Sequence, residues 1–163
     1  MAVTDDIGRI VRQESELVFD RFDEDVAAEL LTHGRKLANE IGAPIGFLVK
    51  LWDRPMAFGA TKGYSHHNYL WCHRKANSVR LVHKSTYRLV LERGDQPRLF
   101  DPSWGVEPEE YVIAGGAFPI VMKGIGFVGA VVASGLPERD DHGLVVAAIC
   151  AVLGQEYSDF ALD

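Results

Sequence analysis

The stretch KGIGFVGAVVASGL, residues 123–136, decides the fold of this 163-residue chain. It contains the pattern G-x-G-x-x-G, which in dinucleotide-binding proteins follows a strand and opens a helix that holds a pyrophosphate. The context contradicts that function, because Gly135 and Pro137 leave no room for a real helix and only one helix follows. The valines of this stretch favour a strand. We therefore predict a β-hairpin that turns near Gly124, and neither NAD nor FAD is an expected cofactor.

Outward from the hairpin, helical and strand patterns alternate along the chain. Apolar residues recur every three or four positions after Asp23, which is a good N-cap, and this predicts a helix that Gly42 ends. The remaining predicted elements are helices at 5–15, at 64–93 with a break near Ser85, and at 137–157, a helical turn at 107–116 that ends at Gly115 or Gly116, and strands at 16–22, 44–53, 55–61, 118–123 and 126–134.

This order of elements predicts one α+β domain over residues 1–163, with a sheet of about five strands. The sheet is expected to be mainly antiparallel, because neighbouring strands are joined by short connections. We expect the helices to pack on one face of it. Gly126 and Gly129 are expected at strand positions where a side chain would obstruct close packing against a helix or another subunit.

Composition excludes several classes of protein. The net charge of −6 argues against a general nucleic-acid binder, and no apolar run approaches a membrane span. The N-terminal residues lack the apolar core of a signal peptide, and Cys72 and Cys150 form no CxxC motif. We therefore expect a cytoplasmic protein in which both cysteines are small buried apolar residues.

Four blocks of sequence are characteristic in combination: LVFDRF…AFGA (17–60), WCHRKANSV (71–79), STY (85–87) and YVIAGGAFPI…SGLPERDDH (111–142). With them the chain resembles, over nearly its whole length, a family of small uncharacterised proteins within the haem-degrading, GlcG/HbpS-like superfamily. The resemblance implies a profilin-like α+β fold and assembly into symmetric oligomers. It also implies haem as a candidate ligand, although no motif assigns haem chemistry to particular residues.

The first candidate site lies where the last strand meets the last helix, at Ser134, Gly135, Asp141 and His142. A hydroxyl, free backbone N–H groups and an imidazole come together there, and helix N-termini bind anions. The nearby carboxylates would favour the charged form of His142. The site would hold a carboxylate or propionate, or act as an acid–base pair. The structural alternative is a helix cap whose acids complement the helix dipole.

The second candidate site is the segment with Gly115, Gly116, Phe118 and Pro119. Two glycines before an apolar strand permit close approach of the backbone to a ligand. The structural alternative is the end of a helical turn followed by the entry into an edge strand.

The third candidate site is on the predicted helix after residue 64 and contains Asn68, Trp71, His73, Arg74 and Lys75. Trp71 offers a face for stacking, and Arg74 offers a fork for a carboxylate, so the group is suited to an anionic aromatic ligand. The structural alternative is a solvated charged face or a set of salt bridges between subunits.

The six histidines show no spacing typical of a metal site, so no metal held by one chain is expected. A site shared between subunits stays open. A haem iron needs only one protein ligand, which makes His66, His67 and His73 candidates. No motif of an activated serine or cysteine is present.

Two functions are compatible with these features. The first is an oligomeric protein that binds haem or another small anionic metabolite between subunits, with any catalysis left open. The second is a non-enzymatic accessory or scaffold oligomer that engages a protein partner. This function is suggested by the many apolar residues on both faces of the predicted strands, because one layer of helices would leave part of that apolar surface uncovered.

Overall fold

The computed structural model describes residues 3–162. The helices are α1 (Val3–Glu16), α2 (Glu24–Ile41), α3 (His66–Val82), α4 (Thr86–Arg93) and α5 (Glu138–Leu153). The strands are β1 (Gly46–Leu51), β2 (Pro55–Ala60), β3 (Ala117–Met122) and β4 (Gly126–Ser134). Among the described helices, none combines the length and the hydrophobicity needed to cross a bilayer.

The predicted β-hairpin is confirmed, because β3 and β4 pair antiparallel and the chain turns between them. Gly124 and Gly126 both have positive φ, at 74° and 109°, which suits glycine in the turn. Glycine suits position 129 for a different reason, because a Cβ there would collide with the backbone carbonyl of Lys50 in β1. The close packing at Gly129 is therefore against the neighbouring strand and not against a helix. A Cβ on Gly126 would meet no atom within 4 Å, so the obstruction expected there is wrong.

The sheet is antiparallel throughout and has the order β2-β1-β4-β3. Within residues 3–162 it contains four strands, so the expectation of about five is corrected. The predicted strand at 16–22 is reduced to a single bridge, in which Phe19 donates its N–H to the Val121 carbonyl at 2.8 Å and accepts from the Lys123 N–H at 2.9 Å. Of residues 17–22 only Phe19 pairs with β3, so the segment forms a bridge and not a strand.

Helices cover both faces of the sheet, which corrects the expectation of helices on one face only. Alternate side chains of each strand point to opposite faces, and both sets are apolar here. One face packs against α2 and α5, with Phe47, Phe118 and Val131 among its buried residues. The other face packs against α3, with Leu48 and Val132 among them. The mixed pattern of the strands thus reflects a sheet that its own helices cover on two sides.

The helix ends follow the sequence signals closely. Asp23 caps α2 by accepting the Val26 N–H at 3.0 Å, and Gly42 ends it in the left-handed conformation. The predicted turn at 107–116 is only partly present, because the helical turn ends at Glu110. Ser78 of α3 takes both backbone groups of Val112, accepting its N–H at 3.1 Å and donating to its carbonyl at 2.7 Å. The segment after Glu110 is therefore extended along α3.

Candidate functional site

A buried ion pair joins α3 to the start of α5. The Lys75 Nζ lies 2.9 Å from the Asp141 Oδ2, and both side chains are at most 5% exposed. Lys75 also donates to the Ala133 carbonyl at 3.1 Å, and the other Asp141 oxygen accepts the Leu136 N–H at 3.0 Å. Burial raises the pKa of Asp141, while Lys75 and the backbone N–H groups oppose that rise.

The glycines of the second candidate site pack against this ion pair. Gly116 has a φ of 122°, and a Cβ on it would meet the Asp141 Cβ and the Lys75 Nζ, each at 2.9 Å. Gly115 donates its N–H to the Glu138 Oε1 at 3.0 Å. The structure therefore brings together members of all three candidate sites, which lie far apart in the sequence.

An open cleft of about 480 Å³ lies over this junction, and we call it the α5 cleft. Its charges are paired, because Arg98 lies 3.3 Å from Glu138 on the rim and Lys75 pairs with Asp141 at the base. The anion position expected at the start of α5 is taken by the Asp141 carboxylate of the protein itself. The cleft is lined by Asn68, Trp71, Lys75, Arg98, Val112, Ile113, Ala114, Ser134, Gly135, Leu136, Glu138 and Asp141.

A second cleft of about 550 Å³ shares the Trp71 side chain with the first, and we call it the histidine cleft. The Arg74 guanidinium lies over the Trp71 ring, 5.2 Å from its centroid. The Arg74 Nη2 donates to the carbonyls of Pro108 and Tyr111, whereas its Nε is buried and has no partner among the residues described. This cleft is lined by His67, Leu70, Trp71, His73, Arg74, Leu99, Pro108, Glu109 and Glu110.

The histidines near this cleft differ in how they are held. The His73 Nε2 lies 3.1 Å from the Glu110 carboxylate and 3.2 Å from the Asn77 side-chain amide. His66 stacks on Tyr69 and is absent from the cleft lining, whereas His67 is exposed and lines the cleft. His67 and His73 are thus the two imidazoles that the fold brings to Trp71.

His142 faces a different environment from its neighbour Asp141. Its Nε2 lies 2.8 Å from the Gln13 Oε1, and the Gln13 amide nitrogen donates to the Phe160 carbonyl at 2.6 Å. The Gln13 Oε1 therefore accepts from the His142 Nε2–H. Burial lowers the pKa of His142 to about 3, Arg139 lowers it further and Asp6 partly opposes them. The expectation that nearby carboxylates favour a charged His142 is thus wrong.

Other residues singled out from the sequence lie in the core. Phe118 and Pro119 are buried in β3, outside the lining of both clefts. Cys72 is fully buried, 3.2 Å from the Tyr64 hydroxyl, and burial raises the pKa of its thiol to about 11. Cys150 is also buried, so both cysteines are placed as expected. Within residues 3–162 no group of three or more metal-binding side chains is gathered.

Sequence reasoning missed two residues of the α5 cleft rim, Arg98 and Glu138. Glu138 belongs to the PERDDH block, but its position in the first turn of α5 suggested only a partner for the helix dipole. Arg98 lies in a loop without periodicity, and its carbonyl accepts the Ile113 N–H at 3.1 Å. No local signal marks such a long-range loop contact.

Comparisons with known protein families place this geometry in context. The family model described as "Haem degrading protein HbpS-like" matches residues 22–150. A UPF0303 protein of Mesorhizobium japonicum is 46% identical over 94% of this chain and 92% of its own length. A UPF0303 protein of Brucella ovis is 44% identical over 96% of this chain and 92% of its own length.

Solved structures share the fold at low sequence identity. The Ybr137w protein superposes with a TM-score of 0.81 at 20% identity, covering 94% of this chain and 93% of its own. HbpS superposes with a TM-score of 0.64 at 20% identity, covering 86% and 96%. PduOC, solved as a haem complex, superposes with a TM-score of 0.67 at 15% identity, covering 80% and 94%.

Proposed function

The chain belongs to the HbpS-like family of haem-degrading proteins, and from this premise we propose that it binds a small carboxylate-bearing ligand around Trp71. Haem is the ligand we propose first, because a haem complex is known for the structural neighbour PduOC. We further propose that the protein acts as a homo-oligomer in the cytoplasm.

The observation that carries this proposal is the position of Trp71. Its side chain lines both clefts, and each cleft has a volume typical of small-molecule sites. The histidine cleft offers two imidazoles and a guanidinium beside the indole ring. An aromatic face with an adjacent arginine suits a flat ligand that carries carboxylates.

The residues of the histidine cleft fit haem in their chemistry. Haem iron takes an imidazole as an axial ligand, and His67 and His73 are the candidates for that role. Arg74 is the candidate for a propionate, because its buried Nε lacks a partner among the described residues. Leu70 and Leu99 supply apolar surface for a macrocycle. When bound, the iron would supply redox chemistry, and the residues of this chain would position it and limit its contact with water.

The α5 cleft offers a ligand a shaped surface, but its charged side chains are already paired with one another. An external anion at the start of α5 would have to displace the Asp141 carboxylate, which already has Lys75 and a backbone N–H as partners. We therefore expect ligand groups to contact Trp71 and the rim at Arg98. His142 takes no part in a proton transfer there, because it is buried on the other side of α5 and neutral.

A haemin titration tests this function directly. We expect a saturable shift of the Soret band with the wild-type protein. Either His67→Ala or His73→Ala should change the position of the bound band, and Trp71→Ala should weaken binding at least about tenfold, since it removes the shared wall of both clefts. His33→Ala in α2 is the matched control, because His33 lines neither cleft.

Two outcomes would contradict the proposal. No saturable shift with the wild-type protein excludes haem as the ligand. Equal shifts for the wild type and for all three cleft variants exclude the site around Trp71.

A second function rests on the exposed apolar side chains of the same region. Leu70 and Leu99 are 43% and 45% exposed and line the histidine cleft, so this surface also suits a protein partner. We propose an accessory or scaffold role as the alternative. It predicts that haemin leaves the Soret band unshifted, and that Leu99→Glu abolishes complex formation with a partner without changing thermal stability.

A further inference from the structure

The free edge of the sheet is the feature from which this inference starts. The sheet has two edges, β2 and β3. The edge of β3 is closed by the chain itself, through the hydrogen bonds of Phe19 to Val121 and Lys123. At β2, by contrast, the residues described supply no second backbone partner outside β1. An edge of this kind is a template for another strand.

The hydrogen bonds of β1 and β2 show which backbone groups of β2 point outward. Thr61, directly after β2, donates its N–H to the carbonyl of Ile45, directly before β1, at 2.9 Å. The backbone N–H of Thr61 therefore points toward β1 and away from the free edge. Hydrogen-bonded and non-hydrogen-bonded pairs alternate along an antiparallel ladder. Gly59 therefore also faces β1. The N–H and C=O groups of Phe58 and Ala60 point away from the sheet, toward the free edge.

The second half of β2 lacks the usual protection against pairing. Natural edge strands carry charged residues, prolines, bulges or coverings. In β2 the proline, Pro55, and the bulge lie in the first half, whereas residues 58–60 carry no charge. Phe58 is 42% exposed, and its ring contacts Tyr69 and Tyr64 at centroid distances of 5.1 Å and 6.2 Å. An apolar aromatic patch thus borders the unpaired backbone groups.

We infer that β2 pairs antiparallel with β2 of a second copy of this chain, about a two-fold axis at Gly59. Phe58 of each copy then forms a hydrogen-bonded pair with Ala60 of the other, so every outward group of these residues gains a partner. The large ring lies opposite a small side chain, and the two Phe58 rings are diagonal neighbours on the face that α3 covers. A two-fold interface needs this kind of self-complementary surface.

This inference rests on the homo-oligomer of the proposed function and names its interface. A second copy is the occupant we infer, because the exposed Phe58 of each copy then lies opposite the small Ala60 of the other. With the axis at Gly59, residues 58–60 of one copy lie opposite residues 58–60 of the other, and none of these three is charged, so no like charges face each other at the centre of the ladder.

The test uses a proline that removes only an outward donor. Ala60→Pro deletes an N–H that makes no bond to β1, and proline is tolerated at such edge positions. By light scattering after size exclusion, we expect the wild-type protein at micromolar concentration at twice 18.0 kDa or a multiple of that mass. Ala60→Pro should at least halve the mass of the assembly while the thermal unfolding midpoint shows a folded chain.

A second variant guards against a folding defect in the first. Phe58→Lys places a charge at the seam and should also halve the mass. Ile125→Lys is its matched control, because Ile125 is 70% exposed at the hairpin tip between β3 and β4, and it should keep the wild-type mass. A monomeric wild type, or a wild-type mass for both Ala60→Pro and Phe58→Lys, would overturn the inference.

Cysteine pairs test the register. A mixture of Phe58→Cys and Ala60→Cys chains should form a mixed disulfide on oxidation, since hydrogen-bonded pairs have Cα atoms about 5.5 Å apart. A disulfide within the Phe58→Cys chains alone would contradict an axis at Gly59. The haemin shift of the wild-type protein is measured separately, so failure of the interface and failure of the ligand site give different results.

Discussion

Asp141 and His142 are neighbours on the first turns of α5, yet the protein buries them in opposite ways. Asp141 lies below the α5 cleft and forms an ion pair with Lys75. His142 lies against Gln13 and Phe160, and burial lowers its pKa so far that it stays neutral. On one side of α5 the Asp141 charge is compensated by Lys75, whereas on the other side His142 itself stays neutral beside the Arg139–Asp6 ion pair.

The two sides of α5 bury their polar groups at different energetic cost. A buried ion pair costs desolvation energy that a neutral hydrogen bond does not, and such pairs are not in general retained for stability alone. On the α1 side, Gln13 satisfies the His142 Nε2, whereas the His142 Nδ1 is buried with no partner among the described residues and the Arg139–Asp6 ion pair lies nearby. Each side also borders an open cleft, of about 480 Å³ beside Asp141 and about 500 Å³ beside His142, so the presence of a cleft does not distinguish them.

The largest effect is expected from breaking the ion pair. Lys75→Met leaves the Asp141 carboxylate buried without its cation, and we expect a loss of about 3–5 kcal/mol in the free energy of unfolding. Urea denaturation measures this loss. The double variant Lys75→Met with Asp141→Leu is the control and should recover most of it, because no charge is then buried alone. A loss below about 1 kcal/mol for Lys75→Met would mean that the pair is effectively solvated.

A smaller effect is expected from the titration of His142. Its pKa is lowered to about 3 in the folded state, from 6.5 in the unfolded state. Between pH 6.5 and pH 3, His142 therefore binds a proton in the unfolded chain but not in the folded chain. Protonation favours the unfolded state, so the free energy of unfolding decreases as pH falls from 6.5 toward 3. The slope approaches about 1.4 kcal/mol per pH unit, so we expect about 2–3 kcal/mol between pH 6.5 and pH 4.5.

His142→Gln isolates this contribution. The difference in unfolding free energy between the wild type and His142→Gln should shrink as pH falls through that range, because only the wild type has the histidine to titrate. Exposed histidines cancel in the difference. A difference that is independent of pH would show that His142 is solvated in the folded protein.

The smallest effect is expected at the rim of the α5 cleft. Arg98 and Glu138 form an ion pair in which both side chains are well exposed, and such pairs contribute about 0–1 kcal/mol. Arg98→Gln should therefore leave the urea midpoint almost unchanged at moderate salt. A loss comparable to that of Lys75→Met would show that the rim is as well shielded from water as the base of the cleft.

The sequence predicts the local elements well and the layer order less well. The hairpin of β3 and β4, the Asp23 cap and the break near Ser85 all follow from short-range signals. The strand expected at 16–22 is wrong because strand formation needs a partner over several residues, and only Phe19 finds one. The helices on both faces were missed because a strand that is buried on two sides does not reveal what covers it.

The candidate site shows the same division between local and long-range information. Arg74 and Lys75 are adjacent in the sequence and were grouped as one charged pair. Because successive helical residues point about 100° apart, Arg74 lines the histidine cleft and Lys75 lies below the α5 cleft. The roles of the two cations therefore differ.

By itself, the sequence determined the hairpin, the two ends of α2 and the family, because periodicity, capping and characteristic blocks are local properties of the chain. Only the tertiary structure decided that Lys75, Gly116 and Asp141 meet, and that Asp141 itself occupies the anion position at the start of α5. Those contacts join residues up to 66 positions apart, as between Lys75 and Asp141. Such a pairing is set by the packing of α3 and α5 around the sheet, for which a local pattern contains no signal.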